Sequence, residues 1–455
     1  MNESTPAAAA AGFRLSPQQR ALWLPEAGCQ ALRGRCLVAV EGPLDAGLLR
    51  QVVLDVCGQA EILRTSFPRL AGMKHAVQVI AEQAAPRWDE LDLRHAGAAE
   101  QPHLVAQLFD LEEAAAFDLE RGPLARFTLI ARGRDRHDLL CTLSALCADS
   151  RTLGNLAAAL AAGYAARLEG RQPPPPAVQY ADFAEWRNQL LTAEDEEAAA
   201  GRAHWHRLAA APEGVLPVRR GATASGFDAA ALGWLLEPRT ARLVEQRAAD
   251  GDTASFLLAC WQVVLAAFSG QRDFLVALSV DGRRFEQLHG SLGPYSQPVP
   301  VRCEVRAELP FAALVREAAT AVNAAGRHQE YFEPENLRAG WSWRLAGFEL
   351  DDRGRGPFAA GPLRFTVERQ RSVGAASVLK LCCRPRGDAL DLLLIYDRAA
   401  LGAAGVAQLG DSLQSVVRAA AGDPGQTVGM LPLLGPAARH RTLFECNDTG
   451  GPQAE

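Results

Sequence analysis

No stretch of this 455-residue chain is both long and apolar enough to cross a bilayer; the longest candidate, residues 256–268, is interrupted by Gln262. Residues 1–12 have neither the basic region nor the apolar core of an export signal. These two absences lead to the expectation of a cytoplasmic protein that meets no membrane. The ten cysteines include no close C-x-x-C pair, and a chain of this length needs no disulfide staples, so reduced thiols and no metal site are expected. There is no cationic run interleaved with aromatic residues. Together with a formal net charge of -6, that argues against a nucleic-acid surface.

What is present is the composition of a globular protein too long for one ordinary core, so two domains are expected. Ser16 reads as a helix N-cap, with Pro17 at the first helical position, Gln19 at the third and Leu15 as the staple residue outside. Strands are expected over 35–41, 71–80, 125–132 and 137–143, and helices over 45–57, 102–109 and 153–168. Gly170 and Pro173 to Pro176 break the chain near 169–177. Beyond that break a helical pair, 180–190 and 194–209, bridges into a second half with the same grammar. Helices are expected there over 253–268, 311–325 and 402–421, and strands over 274–280, 365–368, 378–383 and 390–396. The resulting division is a disordered lead (1–12), an N-terminal lobe (13–178), a C-terminal lobe including the bridging helices (179–435) and a linker (436–455).

One segment stands out, Cys141-Thr-Leu-Ser-Ala-Leu-Cys-Ala-Asp-Ser-Arg-Thr152. An apolar strand-like run delivers Ser144, Cys147 and Asp149 to a strand end, and a helix follows, which is where two-layer α/β domains usually hold their chemistry. Cys147 invites a covalent role, but its neighbours Leu146 and Ala148 favour a buried, inert thiol. Ser144 has no identified base. His204 and His206, flanking Trp205, could suggest metal binding but read as part of a surface amphipathic helix, and the acidic run 194–197 as a solvated face.

Further stretches share a pattern. Ser16-Pro-Gln-Gln-Arg-Ala-Leu-Trp-Leu24, Leu63-Arg-Thr-Ser-Phe67, Tyr180-Ala-Asp-Phe-Ala-Glu-Trp-Arg187, the run 293–302 and His328-Gln-Glu-Tyr331 occur in that order. Together they resemble the motifs of nonribosomal peptide synthetase condensation domains, over essentially the whole chain. There are departures. Gln59 and Ala60 stand where the second motif has Arg and His, and Gln297 stands where the fifth has Asn. The seventh motif, Arg-Asp followed by Ser or Thr, is not found near 373–377. Residues 428–434 and 443–449 look like the linker to an adenylation domain, which suggests the N-terminal piece of a larger synthetase, suited to starter work or to receiving an intermediate from a separate protein.

The resemblance implies two chloramphenicol-acetyltransferase-like lobes forming a V, with a tunnel between them. Peptidyl or aminoacyl carrier proteins would dock at its mouths and present thioesters on phosphopantetheine arms, with no cofactor bound by the chain itself. The implied reaction is attack of an acceptor amine on a donor thioester. A downstream adenylation domain and a tailoring enzyme are the other partners it suggests.

The family's central motif is two histidines, three variable residues, then Asp-Gly, with a hydroxyl residue two positions further on. Placing Asp149 on the aspartate puts Ser144 and Ala145 on the histidines, Ser150 on the glycine and Thr152 on the hydroxyl residue. Ala145 cannot handle a proton as a histidine does. Three readings stay open. The domain is inactive and serves as a structural or recruiting platform, it forms the amide by another route, or it runs a changed reaction such as ring-forming heterocyclisation or ester formation. Ser144 and Asp149 are the candidate catalytic residues. Asp149 is expected to shape the site by pairing with Arg64 or Arg283; capping the helix near Thr152 is the alternative. Cys147, Ser16, Gln19, Tyr295, Gln297 and His328 are the expected tunnel-lining residues. Arg219, Arg283 and Arg284 are candidates for meeting carrier phosphates.

Overall fold

The computed structural model describes residues 12–435 apart from 24–31, 71, 74, 84–85, 113–114, 173–177, 210–215, 217–227, 248–251, 334–345, 352–355 and 375–376. The expected lead, except Gly12, and the expected linker at 436–455 lie outside the described residues, as does Arg219. Among the described residues no helix is long and apolar enough to cross a membrane.

Two six-stranded sheets organise the chain, each covered by helices. The first runs, in spatial order, Phe358–Ala360, Leu363–Ser372, Arg33–Glu41, Arg136–Ser144, Ala125–Ala131 and Arg87–Asp92. Helices Ala46–Gln59 and Ser150–Leu168 bury Val52, Val56, Leu153, Leu156 and Leu160 on one face of it. Helix Gln101–Leu111 covers the other face, with Phe109 against Leu37, Ile130 and Leu140. Because both faces are covered, Arg136–Ser144 reads as a nearly continuous apolar run rather than an alternating one. A small sheet of Phe13–Arg14, Val77–Ile80 and Thr65–Ser66 lies beside it.

The second sheet runs Gln297–Glu304, Asp273–Val280, Ala346–Leu350, Leu379–Arg386, Ala389–Asp397 and Ala229–Leu236. Helices Thr253–Ser269, Phe311–His328 and Ala403–Gly422 pack on it. Trp261 is wholly buried there and donates its indole N–H to the Gly347 carbonyl at 3.2 Å. Gly410 lets the last helix lie on Trp234, since a Cβ at that position would stand 2.1 Å from the ring.

The chain crosses between the sheets more often than the expected division at 178/179 allows. Strand Leu363–Ser372 comes from the second half of the sequence but pairs antiparallel with Arg33–Glu41 in the first sheet. Its inward residues Phe365 and Val367 are buried in the first lobe's core, and that burial draws the strand across. It is also longer than the expected 365–368. Of the described residues in the strand expected over 71–80, Val77–Ile80 form strand, between the short partners Phe13–Arg14 and Thr65–Ser66. Strands Arg87–Asp92 and Ala229–Leu236, which the periodicity does not announce, complete the outer edges of the two sheets.

This folding leaves the second sheet with two unlike faces. Leu379, Leu381 and Cys383 point into its own core, whereas Lys380, Cys382 and Arg384 point the other way. Ala346, Phe348 and Leu350 pack on the core side; Glu349 lies on the opposite face. The face turned toward the first lobe therefore carries charge.

Candidate functional site

Strand Arg136–Ser144 ends in a turn over Ala145–Cys147, and Asp149 caps the helix that follows. Its Oδ1 accepts the Thr152 backbone N–H and the Thr152 hydroxyl, both at 2.8 Å. The same carboxylate takes a two-pronged ion pair from Arg283, with Nη1 to Oδ2 at 2.8 Å and Nη2 to Oδ1 at 3.1 Å. Ser296 adds its backbone N–H at 2.9 Å and its hydroxyl at 3.1 Å. Pairing and capping, posed as alternatives from the sequence, are both present.

Arg283 has no exposed side-chain surface and also donates to Asp281 Oδ1 at 3.1 Å, to the Thr152 oxygen at 2.8 Å and to the carbonyls of Gly293, at 3.0 Å, and Ser291, at 3.2 Å. Its guanidinium lies 4.3 Å from the Tyr295 ring centroid. Gly293 closes the assembly by donating its N–H to the Thr152 oxygen at 3.1 Å. Its φ of +144° suits glycine, and a Cβ would stand 2.2 Å from the Tyr180 ring. Burial pushes the Asp149 carboxyl up, but Arg283 and the N–H donors outweigh it and hold the group below the usual carboxylate range. Burial works against the Arg283 charge in turn, and Asp149 more than restores it.

Arg64 is elsewhere. It sits in the short turn Glu61–Arg64, faces Glu61 at 3.5 Å and donates to the carbonyls of Gly58 and Ala81. Of the two expected partners, Arg283 is the one that pairs with Asp149.

A narrow cavity of about 60 Å³, room for a handful of waters, opens beside this lock. The motif contributes Ala145, Ala148 and Ser150 to its wall, and the first helix contributes Pro17 and Gln18. Ser279 and Gln297 of the second sheet complete one side; Glu349, Ser377 and Lys380 form another. Among the described residues no histidine lines it.

The expected lining set needs correction. Gln297 does line the cavity, and its amide donates to the Gln329 carbonyl at 2.6 Å. Ser144 is fully buried in the turn, where its oxygen accepts the Leu146 N–H at 3.3 Å, and it does not reach the wall. Cys147 packs in the first core, where burial pushes its thiol far up. Ser16 caps the first helix and meets the Tyr180 hydroxyl at 2.7 Å. Gln19 supports the motif turn from behind by donating to the Leu146 carbonyl at 3.1 Å. Tyr295 packs against Arg283 instead of facing the cavity, and its flanking residues Pro294 and Ser296 line it. His328 lies away from the site, its ring 4.7 Å from that of His204 and its carbonyl accepting the Trp205 indole at 2.9 Å. Arg284 pairs with Glu330 at 2.8 Å.

Glu349 and Lys380 were not singled out from the sequence. Lys380 Nζ donates to Glu349 Oε2 at 2.6 Å, and the pair is largely buried in the cavity wall. The alternation Phe348-Glu349-Leu350 and Leu379-Lys380-Leu381 was the available signal for one charged face.

A second, wider space of about 570 Å³ lies on the other side of a bonded partition. Gln370 donates its amide to the Ser150 carbonyl at 2.6 Å and to Asp351 Oδ2 at 3.2 Å. Arg384, which lines the wider space, donates to the Gln370 carbonyl and faces Asp351 at 3.4 Å. One layer of side chains thus runs from the wall of the first space to the wall of the second.

Two lobes locked by this aspartate–arginine pair, with a cavity at the motif turn, define an interlobe-site α/β protein. The sequence model of the condensation domain matches residues 14–335, and the chain belongs to that family of nonribosomal peptide synthetase domains. Phosphinothricin tripeptide synthetase PhsB of Streptomyces viridochromogenes is 30% identical over 442 residues, covering 91% of this chain and 36% of that protein. Chondramide synthase cmdD of Chondromyces crocatus is 26% identical over 97% of this chain and 12% of its own length. The chain thus spans about a third or less of these relatives. Among solved structures, the X-domain from teicoplanin biosynthesis is 26% identical with a TM-score of 0.77, over 95% of this chain and 99% of that one. The X-domain in complex with OxyB is 25% identical, with a TM-score of 0.74 over 96% and 99%. The first condensation domain of the calcium-dependent antibiotic synthetase shares the fold, with a TM-score of 0.80 at 19% identity over 94% and 100%. The fold is the expected chloramphenicol-acetyltransferase-like one.

Proposed function

We propose that the chain binds acyl and aminoacyl thioesters, carried on the phosphopantetheine arms of carrier proteins, between its lobes and joins them as an amide without a histidine. The observation that supports this is the intact Asp149–Arg283–Thr152–Gly293 lock, which holds the Ala145 turn against a polar cavity. A neutral amine is already a good nucleophile. Holding it against the thioester carbonyl and stabilising the developing oxyanion supply acceleration that needs no imidazole. A downstream adenylation domain is the natural neighbour on this reading.

A second reading is favoured by two observations. The X-domain resembles this chain at 25% identity and is seen with OxyB, and the Gln370 partition interrupts the passage between the two spaces. On that reading the domain is a platform that recruits a tailoring enzyme. The deciding experiment offers the chain donor- and acceptor-loaded carriers and measures amide by mass spectrometry. Product well above the uncatalysed background supports condensation; a stable carrier complex with no product supports the platform.

A further inference from the structure

Among the described residues, three ionisable side chains line the narrow cavity: Asp149, Glu349 and Lys380. Asp149 is spent. Its two oxygens already accept from Thr152, Arg283 and Ser296, so it has no capacity left for a substrate. Glu349 is placed differently. It belongs to the opposite lobe and stands across the cavity from the Ala145 turn, with Lys380 held on Oε2 and the Cys382 thiol 4.0 Å from the same oxygen.

A charged pair on a sheet face turned inward costs desolvation, and two apolar side chains would fill the space at less cost. Its place in the cavity wall is what a chemical role explains. A carboxylate has about four lone-pair sites, so one held by an ammonium and by the Ser150 hydroxyl keeps room for an incoming N–H donor. Burial would neutralise Glu349, but Lys380, helped by the Ser150 hydroxyl and Arg384, outweighs it and keeps the carboxylate ionised.

The geometry points to Glu349 as the proton acceptor of this site, holding the acceptor amine where the motif histidine is missing, with Lys380 positioning its carboxylate. This assignment rests on the amide-forming reading. The amine nitrogen bonds to the thioester carbonyl carbon, and the nitrogen passes one proton to Glu349. The C–S bond breaks, and the departing pantetheine thiolate takes that proton from Glu349, so atoms and charge balance and no co-reactant is needed. The proton to be moved is far more acidic after the nitrogen has bonded to carbon than in the free ammonium, so a carboxylate suffices.

Two measurements on the full chain test it. The first is calorimetric binding of glycyl-aminopantetheine, an amide-linked acceptor mimic that cannot react. Glu349→Gln should bind it about tenfold more weakly than the wild type, Glu349→Asp nearly as well, and the N-acetylated probe should not distinguish wild type from Glu349→Gln. The second is single-turnover amide formation with loaded carriers, where Glu349→Gln should lose about a hundredfold or more. Equal binding of the amine probe by wild type and Glu349→Gln overturns the assignment, as does a Glu349→Gln rate within twofold of a working wild type; either leaves the amide-forming reading standing. Binding that depends on Glu349 with no product from the wild type overturns the reaction itself, and with it the proton transfer. Glu349→Asp keeps the charge and the pairing, so the test survives a folding defect in the glutamine variant.

Discussion

Arg283 and Asp149 join the two lobes through two parallel hydrogen bonds, 2.8 and 3.1 Å long, with no part of the arginine side chain exposed. The arginine leaves strand Asp273–Val280 of the second sheet a few residues past its end, and the aspartate caps a helix of the first lobe. This buried ion pair is the centre of a set of contacts between the lobes that includes Gly293 on Thr152, Ser296 on Asp149 and Asn155 on the His289 and Ser291 carbonyls.

Removing Arg283 leaves the buried Asp149 carboxylate without its cation, and removing Asp149 leaves the buried Arg283 with only the partly exposed Asp281, 3.1 Å away, as counter-ion. Asp149→Ala should cost about 3–5 kcal/mol of stability, as should Arg283→Leu, and the double variant should cost clearly less than the sum. Chemical denaturation of the four proteins checks this. An unchanged transition in Asp149→Ala would remove the lock from the account.

The same contact sets a pH dependence. Asp149 is held below its unfolded value, so its contribution is complete above the unfolded carboxylate pKa of about 3.9 and is lost as pH falls through the folded one. The stability difference between wild type and Asp149→Asn should therefore be flat from neutral pH down to about 5 and shrink below about 4. Denaturant midpoints across that range measure it; a difference that grows on acidification contradicts the sign.

Gln370 offers a separate handle. Its amide is the link between the Ser150 carbonyl and Asp351, and Cys382 lies on the same strand face between Lys380, in one space, and Arg384, in the other. Cys382 is fully buried, and burial raises its thiol to about 11. Gln370→Ala should join the two spaces and let a small maleimide label Cys382 about tenfold faster, as read by peptide mass spectrometry. Labelling that stays as slow as in the wild type means the partition does not depend on this side chain.

These contacts show what sequence could and could not convey. Asp149 was legible as a site-shaping residue, but Arg64 and Arg283 were equivalent candidates, since which arginine reaches it depends on how the lobes meet. The motif was expected at a strand end, and strand Arg136–Ser144 ends there, while Ser144 points inward because a tight turn, not a continued strand, follows it. The crossing of Leu363–Ser372 was hidden because Phe365 and Val367 would satisfy either core equally well. Glu349 and Lys380 lay in plain alternating patterns whose charged face looked like solvent exposure; only the second lobe's position makes it a cavity wall.

Ala145 supplies the most direct test of how the site works. It borders the cavity on one side and the first core on the other, so Ala145→His can grow into the open side at an overpacking cost of about 1–3 kcal/mol. If positioning already drives amide formation, an imidazole there should add to it, raising the rate about tenfold to a hundredfold and bringing a rise with pH centred near about 6.5. Single-turnover rates from about pH 5.5 to about 8 with loaded carriers read both effects. A folded Ala145→His that forms no more amide than the native chain, with no inflection near neutrality, would place the reacting amine away from this turn.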